Sequence, residues 1–353
     1  MTPPLAHLLT QPGRASTLSL RDWDALLPQA RGYGILGWLA ERLDPENPAS
    51  RIPPQVQPHL RAALTVAHEH QRMVRWEVNQ IQRTLTGTGV PITLLKGAAY
   101  LYAGLPMARG RLVSDVDILV PRDALTTVEE ALLARGWGSL KLDDYDQQYY
   151  RRWMHELPPL RHRLRGTVVD VHHNILPETS RLCPDPTQLL AASQPLAPGL
   201  RVLCPADMVL HSAAHGFHDG EFANSLRDLL DLHELVTHFA ATDGFWRALL
   251  DRSRTLGLQR PLFYGLRYTQ RFLATPVPAW VSGELAVSGP DPLSRGLMDC
   301  LLPYTLPGAS TTPVLAGLAR QCLYIRSHWL RMPPVLLCKH LLIKTLRRSR
   351  AQQ

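Results

Sequence analysis

The run Val113 to Val120, VSDVDILV, alternates polar and apolar residues, and a period of two belongs to a strand. Val116, Ile118 and Val120 then face a core, while Asp115 and Asp117 share the opposite face. Two carboxylates so close repel and raise each other's pKa. A divalent cation held by hard oxygen ligands offsets that repulsion. The D-x-D pattern alone is short, and a strand end dipping into solvent explains it more simply. The choice between the two turns on what surrounds it.

Three neighbours favour the cation. Thr167 to His172, TVVDVH, alternates again and places Asp170 opposite Val169 and Val171 on a second strand. A third carboxylate beside a D-x-D pair makes a site for one or two magnesium ions, which suits in-line displacement at phosphorus. Val90 to Leu95 reads as a buried strand, broken by Lys96-Gly97 before a helix that starts at Ala98. Helix N-termini meet phosphate through free N–H groups, and glycine permits close approach. Arg109 and Arg111 lie between that turn and the acids, where guanidinium groups can reach a triphosphate. Asp123 is expected to cap a helix over 124–135, with Gly136 just past its end. Leu160 to Arg165 and Thr167 to His172 are expected to form a β-hairpin with one exposed, basic strand.

The flanks have the helical period. In the first 85 residues Leu60, Leu64, Ala67 and His68, then Met73, Val74, Val78, Ile81 and Leu85, recur at helical spacing. From about Pro205 three-and-four spacing returns in Ala206 to Ala214, Leu226 to His238 and Trp246 to Leu256. The division expected is an N-terminal helical region over 1–85, a mixed α/β (α+β) core over 86–180, and a C-terminal helical domain with a basic tail over 181–353. At 45% hydrophobic and 19% charged residues, the 353-residue chain can bury a sizeable core, so disorder throughout is excluded. No apolar run approaches the ~18 residues of a membrane span, and MTPPLAHLLTQPGR has no secretory pattern. Five widely spaced cysteines without a CxxC pair fit a reducing, cytoplasmic setting.

The net charge of +8 sits in the tail, where residues 320–353 hold eight bases and no acid. Such a tail can meet nucleic acid, acidic lipid or an acidic protein, or it is simply a solvated last helix.

The stretch LLKGAAYLYAGLPMARGRLVSDVDILV, followed by VVDVHHNI, resembles the DNA polymerase β-like nucleotidyltransferase superfamily. More closely, over about residues 85–240, it is similar to an uncharacterised nucleotidyltransferase family of bacterial biosynthetic clusters. It also resembles the abortive-infection type of nucleotidyltransferase toxin. The resemblance implies a polymerase β-like mixed-sheet core. It implies an EC 2.7.7-type enzyme that moves an NMP from an NTP to an unidentified hydroxyl or phosphate acceptor and releases pyrophosphate. Asp115, Asp117 and Asp170 would hold Mg2+ (or Mn2+), and Asp170 would help activate the attacking hydroxyl. Gly97 would lie against the triphosphate, Lys96 and Arg111 match positions usually basic in the closer family, and Ser114 would contact phosphate or orient Asp115. Gly97-Ala98 departs from the superfamily's Gly-Ser or Gly-Gly, so a hydroxyl contact is missing, and the interval to Asp115 is longer than usual.

Two other classes compete. One is a nucleotide- or partner-binding module that kept the fold and lost turnover. The other is a toxin-like transferase acting on RNA, drawn from the basic tail and from Arg151, Arg152, Arg161, Arg163 and Arg165 near Tyr149, Tyr150 and Trp153. His211 and His215 share a helix face but lack the H-E-x-x-H pattern, so they read as structural or as lining the cleft opposite the acids. His172 is expected near the metal or at a strand end in water.

Overall fold

The computed structural model of the chain describes residues 4–140, 150, 151, 153–219, 225–306 and 313–333. Helices α1 (Pro4–Thr10), α2 (Leu20–Gly32), α3 (Leu36–Leu43) and α4 (Gln57–Leu85) come first. Next are β1 (Ile92–Leu94), α5 (Lys96–Tyr102), β2 (Val116–Leu119), α6 (Leu125–Ala134), β3 (Trp137–Ser139), β4 (Leu160–His162) and β5 (Val168–His172). After α7 (Pro186–Ala192), β6 (Gln194–Ala197) and β7 (Leu200–Val202), the chain is helical: α8 (Pro205–Ala214), α9 (Ser225–Phe239), α10 (Phe245–Thr255), α11 (Gln259–Leu273), α12 (Ala279–Val287), α13 (Pro292–Leu301) and α14 (Pro313–Arg331).

The seven strands form one mixed sheet in the order β3-β4-β5-β2-β1-β7-β6. Strand β2 runs parallel to β5 and antiparallel to β1, while β1 runs parallel to β7. The central strands β1 and β2 are buried along their whole length, as strands covered on both faces must be. Helix α5 packs on β2, and the 29-residue α4 lies against α3, α5 and α6. Leu60, Ala67, Val74, Val78, Ile81 and Leu85 are the buried stripe of α4, whereas Met73 is exposed. Helices α8 to α11 pack on one another as a C-terminal bundle.

The hairpin is present, with β4 antiparallel to β5 and Leu160 opposite Val169. Its basic strand is not an edge, because β3 pairs with the other side of β4. Helix α6 covers the expected span, and Gly136 has φ +95, but Asp123 makes no capping hydrogen bond to it. The sheet also takes two strands from beyond residue 180. Strand β7 pairs in parallel with β1, and β6 forms the far edge. Pro195 sits on that edge, where a missing N–H costs no ladder bond. Of the basic tail, residues 320–331 belong to α14, residues 332 and 333 lie just past its end, and 334–353 lie outside the described residues.

Candidate functional site

The site is built on the register between β2 and β5. Asp117 and Asp170 are direct partners on these parallel strands, and Asp115 stands two residues before Asp117, just ahead of β2. Val116 and Ile118 fill the opposite face at 3% and 0% exposure, so the core fixes which way the acids point.

The two paired aspartates sit in different fields. Asp117 Oδ1 accepts from Lys96 Nζ at 2.8 Å and lies 2.9 Å from His172 Nε2. Burial would push the Asp117 carboxyl up, but Lys96 and His172 outweigh it and hold the group well below the usual carboxylate range. Asp170 has no such partners. Its Oδ1 is buried and has no hydrogen-bond partner among the described residues. Burial first, then the Glu156 and Asp117 carboxylates, push Asp170 up to about 7.

Lys96 is held at φ +45, a left-handed conformation that costs a non-glycine residue roughly 1–2 kcal/mol. It persists because the residue closes β1, opens α5 and delivers its ammonium to Asp117. Burial would lower the Lys96 pKa, yet Asp117 leaves it raised. His172 Nδ1 lies 3.2 Å from Glu156 Oε2. Burial works against charge on His172 as well, but Glu156 and Asp117 raise its pKa. His155, Glu156 and His172 bring ligand atoms within 4.8 Å of one another, which is metal-ligand spacing. His172 has a carboxylate near each ring nitrogen, Asp117 at Nε2 and Glu156 at Nδ1.

Above the acids is a cavity of about 200 Å³ whose lining includes Lys96, Gly97, Ser114, Asp115 and Asp117. Its far wall comes from the C-terminal bundle: Ser212 on α8, His215 just past its end, and Arg227, Asp228 and Asp231 on α9. Arg111 joins the wall through a buried bidentate pair with Asp231, Nη2 to Oδ2 at 2.7 Å and Nε to Oδ1 at 3.0 Å. The loop carrying Arg111 is pinned by close backbone approach. Gly110 has φ +72, and a Cβ there would run into the Gly37 backbone of α3. His70 of α4 fixes the next turn by accepting from Val113 N at 3.2 Å.

Of the expected phosphate contacts, Lys96, Gly97, Ser114 and Arg111 all reach the cavity, and exposed Arg109 is not part of its lining. Ser114 Oγ donates to Asp115 Oδ1 at 2.9 Å, so it orients that acid. Gly97 lies against Arg111, whose guanidinium a Cβ at Gly97 would strike. His215 lines the cavity, while His211 is buried beside it, its pKa driven well down by burial and by Lys96. Arg227 was not expected to act. It donates to Leu112 O at 3.1 Å, and no carboxylate pairs with it among the described residues. Repulsion from Arg111, followed by burial, lowers its pKa. The sequence signal was R-D-x-x-D, which at helical spacing puts Arg227, Asp228 and Asp231 on one side of α9.

The basic cluster near the hairpin is partly spent on structure. Arg165 pairs with buried Glu77 at 2.7 Å and lies over Trp76 and Trp137, and Arg151 pairs with Glu129 at 2.7 Å. Arg161 and Arg163 are exposed, whereas Arg152 and Tyr149 lie outside the described residues.

The donor set fits a hard divalent cation. Asp117 and Asp170 are register partners, Asp115 stands just ahead of β2, and one buried Asp170 oxygen lacks any partner among the described residues, although Asp170 is not in the cavity lining and the three acids are not among the groups whose ligand atoms lie within 4.8 Å of one another. No described helix is long and apolar enough to cross a membrane. No curated protein matches the chain. Among solved structures, an antigenic nucleotidyltransferase-like protein from Paracoccidioides brasiliensis aligns at 14% identity, over 55% of this chain and 92% of that one. Its TM-score of 0.29 is too low for the likeness to bear on fold or chemistry. A family model described as uncharacterised nucleotidyltransferase matches residues 19–274, well over half of the sequence, and the chain belongs to that family.

Proposed function

We propose that the protein transfers a nucleoside monophosphate from an NTP to a hydroxyl or phosphate acceptor, releasing pyrophosphate. Membership of a nucleotidyltransferase family supports the general reaction. The observation that carries the reading is the register pairing of Asp117 with Asp170, beside Asp115, with one Asp170 oxygen buried and unpartnered. A carboxylate left so is costly unless a cation completes it.

In this reading Asp115, Asp117 and Asp170 hold Mg2+ or Mn2+. The ion, when bound, neutralises the phosphate oxygens and stabilises charge on the attacking and leaving oxygens. Lys96 and His172 keep Asp117 ionised whether or not substrate is present. Ser114 fixes the Asp115 rotamer. Asp170, the register partner of Asp117, also helps activate the attacking hydroxyl. Arg227 and Arg111 face the acids across the cavity and meet the triphosphate, Arg111 with its charge already shared with Asp231. Catalysis is then positioning plus electrostatic stabilisation.

Lys96 on Asp117 Oδ1 favours a second reading, a nucleotide-binding module without turnover, because the ammonium stands where a cation would bind. One assay separates the two. Purified protein, Mg2+, each of four α-labelled NTPs and a cell extract as acceptor are compared with the Asp115→Ala, Asp117→Ala double variant. Pyrophosphate release and label transfer by wild type alone establish the transferase. Metal-dependent NTP binding without release establishes the module. Neither binding nor release rejects the site.

A further inference from the structure

A second cavity, of about 330 Å³, opens between α11, α13, α14 and the π-turn His215–Asp219 that extends α8. Neither the three acids nor Lys96 lines it. The π-turn is the partition: His215 faces the first cavity, and Phe217 and His218 line the second. Local π geometry of this kind is frequent at functional sites.

Its charge is lopsided. Arg181, Arg260 and Arg326 line it, and none pairs with a carboxylate among the described residues. The one acid in the lining, Asp291, accepts from Ser294 N at 2.9 Å as the cap of α13. Arg326 is half-buried, anchored by donating to Phe217 O at 3.1 Å and lying 5.3 Å over the Tyr264 ring. Burial, with Arg260 adding repulsion, lowers its pKa, as befits a cation without a counter-charge. Phe217, Tyr264 and Trp329 share the rest of the wall with leucines and prolines. Phe217 and Tyr264 stack at 6.2 Å, and Arg181 covers Trp329 at 4.9 Å. Guanidinium forks match carboxylate and phosphate oxygens, and flat aromatic faces suit a flat ligand. A volume near 330 Å³ is at the small end for organic ligands, enough for a body of one or two rings.

We propose that this cavity is a binding site, separate from the acid-lined one, for a small organic anion: a phosphate or carboxylate group carried on a planar ring. Arg181, Arg260 and Arg326 meet the anion, and Tyr264, Phe217 and Trp329 meet the ring. The proposal does not depend on nucleotidyl transfer.

Isothermal titration of the full chain with phenyl phosphate, benzoate, inorganic phosphate and phenol tests it. Saturable binding of phenyl phosphate or benzoate is expected, and their ratio shows which anion the forks prefer. Inorganic phosphate, without a ring, and phenol, without a charge, bind at least about tenfold more weakly. Arg326→Gln and Arg260→Gln each weaken the ringed anion about tenfold. Arg260 is exposed, so its variant serves even if the half-buried Arg326 is needed for folding. Asp115→Asn with Asp117→Asn leaves this binding within about twofold. No saturation by either ringed anion overturns the proposal. So does binding that neither arginine variant weakens, equal binding of inorganic phosphate, or loss of binding only in the aspartate variant.

Discussion

The floor and the far wall of the main cavity are both built on buried acids, and they differ in how those acids are answered. On the wall, Asp231 takes both arms of Arg111 in a pair whose side chains are 7% and 8% exposed. That pair is closed, and Arg227 and Asp228 stand beside it on α9. On the floor, Lys96 and His172 answer Asp117, whereas its register partner Asp170, outside the cavity lining, has an oxygen with no hydrogen-bond partner among the described residues. The wall's two arginines stand beside two aspartates, Asp228 and Asp231, whereas the floor's Lys96 stands beside Asp115 and Asp117. In the proposed function the unanswered carboxylate is the reacting side, and the closed pair is scaffold.

Breaking the floor has the largest expected effect. Asp115→Ala with Asp117→Ala lowers pyrophosphate release by at least about 10²-fold, with an unchanged far-ultraviolet circular dichroism spectrum. Breaking the wall acts on stability. Arg111→Met leaves Asp231 buried and unpaired and costs about 3–5 kcal/mol by urea unfolding, while Arg111→Met with Asp231→Leu recovers most of it. A double variant no more stable than the single one denies the wall its closed pair. Gly97→Ala forces the Arg111 guanidinium aside and costs about 1–3 kcal/mol, less than losing the pair. An effect below about 0.5 kcal/mol shows that the guanidinium moves freely.

The smallest effect is one of pH, at His233 on the same helix as the wall. Burial, then Arg42, lowers its pKa to about 4, and its Nδ1 lies 2.8 Å from Thr275 Oγ1. A histidine with a depressed folded pKa is neutral in the native state, and the unfolded chain takes the proton first. Its contribution is full above the unfolded value near 6.5 and is lost as pH falls toward 4. The stability difference between wild type and His233→Gln therefore shrinks by about 1–2 kcal/mol between pH 7 and pH 5. A pH-independent difference contradicts this assignment.

The floor was legible because period-two spacing is a local property. VVDVH is a strand as expected, VSDVDILV is one only over Val116–Leu119 with Asp115 just ahead of it, and parallel pairing sets Asp117 beside Asp170. The wall was not legible. Arg111 and Asp231 are separated by 120 positions, and helix packing, which no local pattern encodes, brings them together. That packing also turned Arg111 from an expected phosphate contact into one that shares its charge with an acid. Strands β3, β6 and β7 escaped notice because each is three or four residues long, and β6 is an exposed edge containing proline. The ties of Arg165 to Glu77 and Arg151 to Glu129 were equally hidden, so a basic-looking hairpin proved partly internal.

The claim that the floor is a cation site is tested most directly by electron paramagnetic resonance of Mn2+ titrated into the protein with a non-hydrolysable NTP analogue. The account predicts saturable Mn2+ binding by wild type, tightened by the analogue and weakened at least about tenfold in Asp170→Asn, where the unpartnered oxygen loses its charge. Mn2+ that stays free in the wild type, or that binds the Asp170→Asn variant equally well, would contradict it.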